Sequence, residues 1–258
     1  MKHIPRKRFG QNFLQDHAII QKIIDCINPQ FGQNIFEIGP GLAALTEPLI
    51  DKLGHLQVIE IDRNIIQFLT EKFSVQQLTI HQGDALEFDF KQIEQSIRVV
   101  GNLPYNISTP IMFYLSQFDN ISDMTFMLQK EVVERICARP NSRDYGKLSI
   151  MLQYKYKCRY LLDVPPESFY PAPKVDSAIV ALIPRRDYAW QKVNAEQLNQ
   201  LVSAAFNQRR KTISNSLKGL VTTEQLIACK IDPKWRAENI SLEQYLNLNQ
   251  LINLPHSL

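Results

Sequence analysis

The chain has 258 residues, 45% of them hydrophobic, and a formal net charge of +3. That composition allows a substantial core in one or two domains. No apolar run reaches membrane-spanning length, and the segment Met1 to Arg8 lacks the apolar core of a signal peptide, so no membrane partner and a cytoplasmic location are expected.

The opening segment, rich in Arg6, Lys7 and Arg8, leads through Gln11 to Leu14 to Asp16, a helix cap. Ile19, Ile20, Ile23, Ile24 and Ile27 then recur at helical spacing. Asn34 to Ile38 reads as a strand running into Gly39-Pro40-Gly41, followed by helical periodicity over Leu42 to Leu53. Gln57 to Ile61 is a second strand, Ile65 to Phe73 a helix, and Leu78 to His81 a third strand closed by Gly83-Asp84. A fourth strand, Ile97 to Val100, is interrupted only by Arg98 and runs into Gly101-Asn102-Leu103-Pro104-Tyr105-Asn106. A helix over Thr109 to Leu115, a fifth strand over Met124 to Gln129 and a helix from Glu131 follow. This alternation predicts an α/β fold with a parallel, doubly wound sheet.

Tyr145-Gly146-Lys147 precedes the apolar run Leu148 to Tyr154, and Leu161 to Val164 and Ala178 to Leu182 read as late strands suited to antiparallel pairing. After Pro184 the pattern is helical throughout: Leu198 to Phe206, Lys211 to Leu217, Thr223 to Ile227 and Leu242 to Ile252. The expected division is a sheet domain over 1–187 and a small all-helical domain over 188–258. Charge is distributed unevenly. From Arg185 onward there are ten Lys/Arg against six Asp/Glu, and basic clusters at Arg6 to Arg8, Arg185-Arg186 and Arg209-Arg210-Lys211 suit phosphate contacts. Cys26, Cys137, Cys158 and Cys229 are scattered, and neither they nor the five histidines form a metal-ligand cluster. Reduced thiols and no metal are expected.

Three features fall at consecutive strand ends, the rim where open α/β sheets bind ligands. Gly39-x-Gly41-x-x-Ala44 allows close backbone approach to a ligand, and Glu60 ends the second strand where a carboxylate can accept ribose hydroxyls. So far NAD and S-adenosylmethionine fit equally. Asp84, placed to accept from an adenine amino group, and Asn102, where a transferable methyl would be presented, favour S-adenosylmethionine. The lone pair of an exocyclic base amine is delocalised into the ring. The Asn102 amide oxygen and the Leu103 carbonyl can accept its two N–H bonds and favour the pyramidal form that methyl transfer needs. Pro104 stiffens the turn, and the face of Tyr105 offers a stacking platform for an unstacked base.

Asn102-Leu103-Pro104-Tyr105 resembles the Asn/Asp-x-Pro-Tyr/Phe signature of adenine-N6 methyltransferases. Together with Gln11 to Leu14, Glu37 to Gly41, Asn102 to Thr109, Phe169 to Ser177 and Ala205 to Thr212, it resembles the KsgA/RsmA family over nearly the whole chain. That family often has Gly where this chain has Ala43. The resemblance implies a Rossmann-like class I S-adenosylmethionine-dependent methyltransferase sheet. Its implied activity is dimethylation at N6 of two adjacent adenosines, in a hairpin loop near the 3′ end of 16S rRNA in the small (30S) ribosomal subunit or its precursor, with a role in subunit biogenesis. It implies cofactor contacts from Asn12, Leu14, Gly39, Glu60, Asp84 and Asn102, and a place for Phe169 on the second face of the base. S-adenosylhomocysteine would be the product, by direct displacement without a covalent enzyme intermediate.

RNA phosphates are assigned to Arg6, Lys7, Arg8, Lys147, Arg209, Arg210 and Lys211. A monomer is expected. The competing readings are a non-catalytic ribosome assembly factor, a large-subunit rRNA methyltransferase of the erythromycin-resistance type, and a DNA adenine methyltransferase. Erythromycin-resistance enzymes usually carry Asn-Ile-Pro-Tyr and Val-Asn-Ser where this chain has Leu103 and Val175-Asp176-Ser177. The DNA enzyme lacks support from any separate sequence-reading module.

Overall fold

The computed structural model describes residues 12–104, 107–185, 193–208 and 210–253. These form two compact units: one holds the residues up to Val133 together with Arg159–Pro184, the other Glu134–Cys158 and the residues from Arg185 onward. The segment 134–158, grouped above with the sheet, therefore clusters with the helical residues.

In the first unit, α1 (His17–Ile27) begins where the Asp16 carboxylate accepts from the main-chain N–H groups of Ala18 and Ile19, at 2.9 and 3.2 Å. Its buried stripe of Ile19, Ile23, Ile24 and Ile27 packs into the core. The helix stops at Asn28, whose left-handed φ of 49° ends the right-handed path one residue before Pro29. The strands are β1 (Phe13–Leu14), β2 (Ile35–Ile38), β3 (Leu56–Glu60), β4 (Leu78–Gln82), β5 (Ile97–Asn102), β6 (Ile121–Gln129), β7 (Tyr156–Val164), β8 (Phe169–Tyr170) and β9 (Ser177–Pro184). The large sheet runs β4-β3-β2-β5-β6-β9-β7. Pairing from β4 through β6 is parallel, and β9 returns antiparallel to β6. The alternation read from sequence is thus present, with α2 (Thr46–Leu53), α3 (Arg63–Lys72) and α4 (Ser108–Leu115) between the parallel strands.

Two local departures have clear causes. The helix expected from Leu42 starts only at Thr46, because Gly41 and Ala43 take left-handed φ angles of 54° and 69° that a right-handed helix excludes. At Ala43 this conformation carries the Cβ penalty that glycine avoids. Arg98, the charge inside the β5 apolar run, is committed to the fold. Its guanidinium grips Asp123 at 2.9 Å and donates to the Ile27 carbonyl at 2.7 Å, satisfying the C-terminal end of α1. The small ribbon of β1 and β8 was not visible in sequence, where each is too short to show a period. Phe13 pairs with Tyr170 and Leu14 with Phe169.

The second unit contains α6 (Lys147–Lys155), α7 (Ala195–Phe206), α8 (Ile213–Ser216), α9 (Thr223–Ala228) and α10 (Leu242–Asn253), with α5 (Lys130–Cys137) running into it from the first. Leu198, Leu201, Val202, Ile213, Leu226, Ile240 and Tyr245 fill its interior. Tyr245 donates its hydroxyl to the Ala237 carbonyl at 2.9 Å, so this buried polar group is matched. Arg185 is likewise structural: its Nε donates to the Gln153 carbonyl at 2.8 Å, and its main-chain N–H to that of Lys155. It is not one of the solvated phosphate contacts that its cluster suggested. Among the described residues, no helix is long and apolar enough to cross a membrane.

β2 and β5 approach so closely that a Cβ added at Gly101 would lie 2.5 Å from the Ile38 carbonyl oxygen. Gly101→Ala is expected to lower stability by about 2 kcal/mol or more, the usual scale for forcing atoms into a packed core. Urea unfolding of the two proteins measures the difference.

Candidate active site

The sheet order reverses between β2 and β5, because the chain first builds outward to β4 and then returns to the other side of β2. Such a switch point opens a crevice beyond the carboxyl ends of the two strands. Gly39 leaves β2 at a left-handed φ of 68°, and its N–H is held by the Ile59 carbonyl at 3.0 Å. Asn102 ends β5. The cleft between them is lined by Asn12, Phe13, Leu14, Glu37, residues 39–42, Ala44, Leu45 and Asn102. Five of the sequence-nominated residues, Asn12, Leu14, Gly39, Gly41 and Asn102, therefore come together. The β1–β8 ribbon is what delivers the first two, and the Phe13 ring sits 3.4 Å from where a Gly41 Cβ would be.

Asn102 is oriented by its surroundings. Its Nδ2 donates to the Asn12 carbonyl at 3.3 Å, and a carbonyl can only accept, so the amide oxygen is the atom left to face a ligand. Leu103 is buried, and its N–H donates to the Met127 carbonyl at 3.2 Å. Pro104 is half-buried. Tyr105 lies outside the described residues.

Glu60 and Asp84 occupy the same rim but do not line this cleft. The Gly83 N–H donates to the Glu60 carbonyl at 3.0 Å, tying the ends of β3 and β4 together. Glu60 is 8% exposed, and its Oε1 accepts from the N–H groups of Ile61 and Asp62, each at 2.8 Å. Burial raises its pKa, while main-chain donors from Asp62, Ile61 and Gly41 counteract the rise. Asp84 Oδ1 accepts from the Leu86 N–H at 2.9 Å.

In the sequence Glu37 stands only within the Glu37-to-Gly41 motif, yet it lines the cleft at 2% exposure. The Thr46 hydroxyl donates to its Oε2 at 2.7 Å. Burial is the main cause that pushes its carboxyl up to about 7, with Thr46 opposing and the nearby Glu60 adding to the rise. A single signal could have marked it: an acidic residue inside an otherwise wholly apolar strand.

Phe169 is 5% exposed and packed in the core with Leu14, whereas Tyr170 beside it is 62% exposed. In this conformation the Phe169 ring is not presented to a base. Arg6, Lys7, Arg8 and Arg209 lie outside the described residues. Lys147 opens α6, and its Nζ donates to Ser203 Oγ at 2.7 Å. Arg210 and Lys211 are exposed, and two backbone bonds bring in a neighbouring cluster that sequence spacing hid. The Ile213 N–H donates to the Trp235 carbonyl at 2.6 Å and the Ser214 N–H to that of Pro233 at 3.3 Å, setting exposed Lys234, Trp235 and Arg236 beside them. Among the described residues, no His, Cys, Asp or Glu cluster could hold a metal ion.

A family described as ribosomal RNA adenine dimethylase matches residues 2–254. "Ribosomal RNA small subunit methyltransferase A" of Nitrosospira multiformis is 50% identical over all of both chains. The protein of the same name in Methylobacillus flagellatus is 54% identical, covering 93% of this chain and 95% of its own. A dimethyladenosine transferase from Plasmodium falciparum has the same fold, with a TM-score of 0.80 at 24% identity, covering 93% of this chain and 97% of its own. So has the 23S rRNA methyltransferase ErmE, with a TM-score of 0.73 at 24% identity, covering 94% and 100%.

The Glu37 carboxyl keeps its proton in the folded protein up to about pH 7, whereas the unfolded chain ionises it near 4.5. Its contribution to stability is fully present below pH 4.5 and is lost as the pH rises to about 7. The loss is about 3 kcal/mol. Glu37→Gln is expected to remove this slope and to unfold at higher urea than the parent at about pH 8. Matched unfolding curves at acidic and alkaline pH measure it.

Proposed function

The chain belongs to the ribosomal RNA adenine dimethylases and is an S-adenosylmethionine-dependent rRNA adenine dimethyltransferase; from that premise we propose that it dimethylates N6 of two adjacent adenosines near the 3′ end of 16S rRNA. The substrate would be the small (30S) ribosomal subunit or its precursor in the cytoplasm, with the protein acting as a monomer. The names of its half-identical relatives support the subunit assignment. The observation that carries the chemistry is the fixed Asn102 amide beside the Gly39 turn.

The residues present fit the cofactor. The left-handed Gly39 and Gly41 leave room for close backbone approach, and at position 41 it is the φ of 54°, with a Cβ merely touching the Phe13 ring at 3.4 Å, that calls for glycine. Asn12, Leu14, Gly39, Gly41 and Asn102 would hold it in the cleft, with Glu60 toward the ribose and Asp84 toward the adenine amino group. The bound cofactor supplies a methyl that its sulfonium has already activated. The protein is left with positioning, charge stabilisation and exclusion of other geometries. Asn102 Oδ1 and the Leu103 carbonyl would accept from the target amine and hold its lone pair out of the ring. Tyr105 would stack on the base. The N-methylated cation first formed at N6 is a strong acid that sheds its proton readily, so no dedicated general base is required. For the second transfer the singly methylated amine has one N–H left, and one acceptor suffices.

On the RNA side, Arg210 and Lys211 would contact phosphates together with Lys234 and Arg236, all exposed and without carboxylate partners among the described residues. Arg6, Lys7, Arg8, Lys147 and Arg209 would complete that set.

Asn102→Ala is expected to lower kcat about 100-fold or more, with far less effect on S-adenosylmethionine affinity. Labelled-methyl transfer to unmethylated small subunits, large-subunit RNA and DNA, run in parallel, tests the substrate; label on DNA alone would sink the assignment. Replacing Arg210 and Lys211 by Ala should lower the salt slope of RNA binding by about 2. Binding measured across a salt series reads that number directly.

A further inference from the structure

Glu37 is the ionisable residue in the cleft to which the proposed function gives no task. Parallel register sets it level with Val58 of β3 and Val100 of β5. Side chains two residues apart on a strand share a face, so Glu37, Glu60 and Asn102 lie on one face of the sheet. Glu60 and Asn102 each stand two residues nearer the rim. Among the described residues lining the cleft, Glu37 alone is ionisable, and none is Lys, Arg or His.

Among the described residues, the groups facing Glu37 leave its charge uncompensated. Thr46 of α2 donates one hydrogen bond, Glu60 of β3 adds negative potential, and Asn102 of β5 and residues 12–14 carry no charge. Glu47, next to Thr46, is already paired with Lys72 at 2.7 Å. A buried acid without a cation keeps its proton until a ligand brings positive charge. The cofactor of the proposed reaction is positive at sulfur before transfer and neutral there afterwards, while its adenine, ribose and amino-acid parts stay the same.

We propose that Glu37 senses this charge: it gives up its proton when the sulfonium form is bound and regains it once the sulfur is neutral, so that the site favours methyl donor over spent cofactor. The inference rests on the function proposed above. In the first step the carboxyl O–H bond breaks and the proton passes to buffer. In the second the carboxylate takes a proton back, leaving the proton of the methylated amine as the net release of a turnover. The folded-state value of about 7 puts the exchange close to neutral pH.

Titration calorimetry on the full chain, with S-adenosylmethionine and separately with S-adenosylhomocysteine, reads affinity and proton release when run in buffers of different ionisation enthalpy. Between about pH 6 and about pH 8 the methyl donor should bind about tenfold more tightly, releasing close to one proton at the lower pH. The product should change by less than about twofold. The two ligands share every other group, so contacts to the adenine, ribose and amino-acid parts are common to both, and the Glu37→Gln arm assigns the donor-specific dependence to Glu37. Glu37→Gln, which keeps an acceptor for Thr46, should erase the difference in pH dependence and most of the preference for the donor. Equal pH dependence of the two ligands in the parent protein would overturn the inference without recourse to a variant. A folded Glu37→Gln protein that keeps the full donor-specific dependence would overturn it too. Binding of neither ligand would remove the proposed function, and this inference with it.

Discussion

The close approach of β2 and β5 is the constraint on which the site depends. With Gly101 lying against the Ile38 carbonyl, no side chain intervenes between the two strands at their carboxyl ends. Gly39 and Asn102 are thereby set on either side of one crevice. The same adjacency is where the strand order reverses, so the opening is built by topology and lined by whatever residues end those strands. A bulkier residue at 101 would separate the strands, and with them the Gly39 turn and the Asn102 amide that the proposed function uses for cofactor and base.

The β1–β8 ribbon closes this crevice from a different part of the chain. Two residues of extended backbone are a weak element by themselves, but Phe13, Leu14 and Phe169 are buried in the same core as β2 and α1. Packing therefore holds the ribbon, and the ribbon holds the Asn12 carbonyl against Asn102 Nδ2. The orientation of an amide that carries the proposed chemistry thus rests on a contact between residues ninety positions apart. Phe169 takes part in this support, which accounts for its burial.

Electrostatics divides the labour between the two units. The cleft and its adjoining rim each hold one buried acid: Glu37 inside the cleft, and Glu60 at the rim, pinned by main-chain N–H groups. It suits a small ligand with a cationic centre. The helical unit instead exposes Arg210, Lys211, Lys234 and Arg236 beside Trp235. Such a surface gathers phosphate charge at long range while leaving an aromatic face available.

Local pattern was sufficient to read the apolar strands β2, β3, β4 and β5, the isoleucine stripe of α1 and the helices after residue 194, because each carries its own period and punctuation. The same was true of Gly39, Asp84 and Asn102 as strand-end residues, and of the adenine-N6 motif that named the chemistry. The start of α2 was not legible, since a left-handed φ at Ala43 belongs to the turn it shares with Gly39 and Gly41 and is not what an alanine favours. Nor was the ribbon of β1 and β8, too short to have a period, or the pairing of Ile213 with Trp235 that assembles the second basic cluster. By itself the sequence determined which strands form, in what order, and which chemical groups stand at their ends, because those depend on neighbours along the chain. Which groups meet, how the Asn102 amide is turned, and that Glu37 is buried with no compensating cation among the described lining residues were decided only by tertiary structure, because hydrogen-bond direction and desolvation depend on neighbours in space.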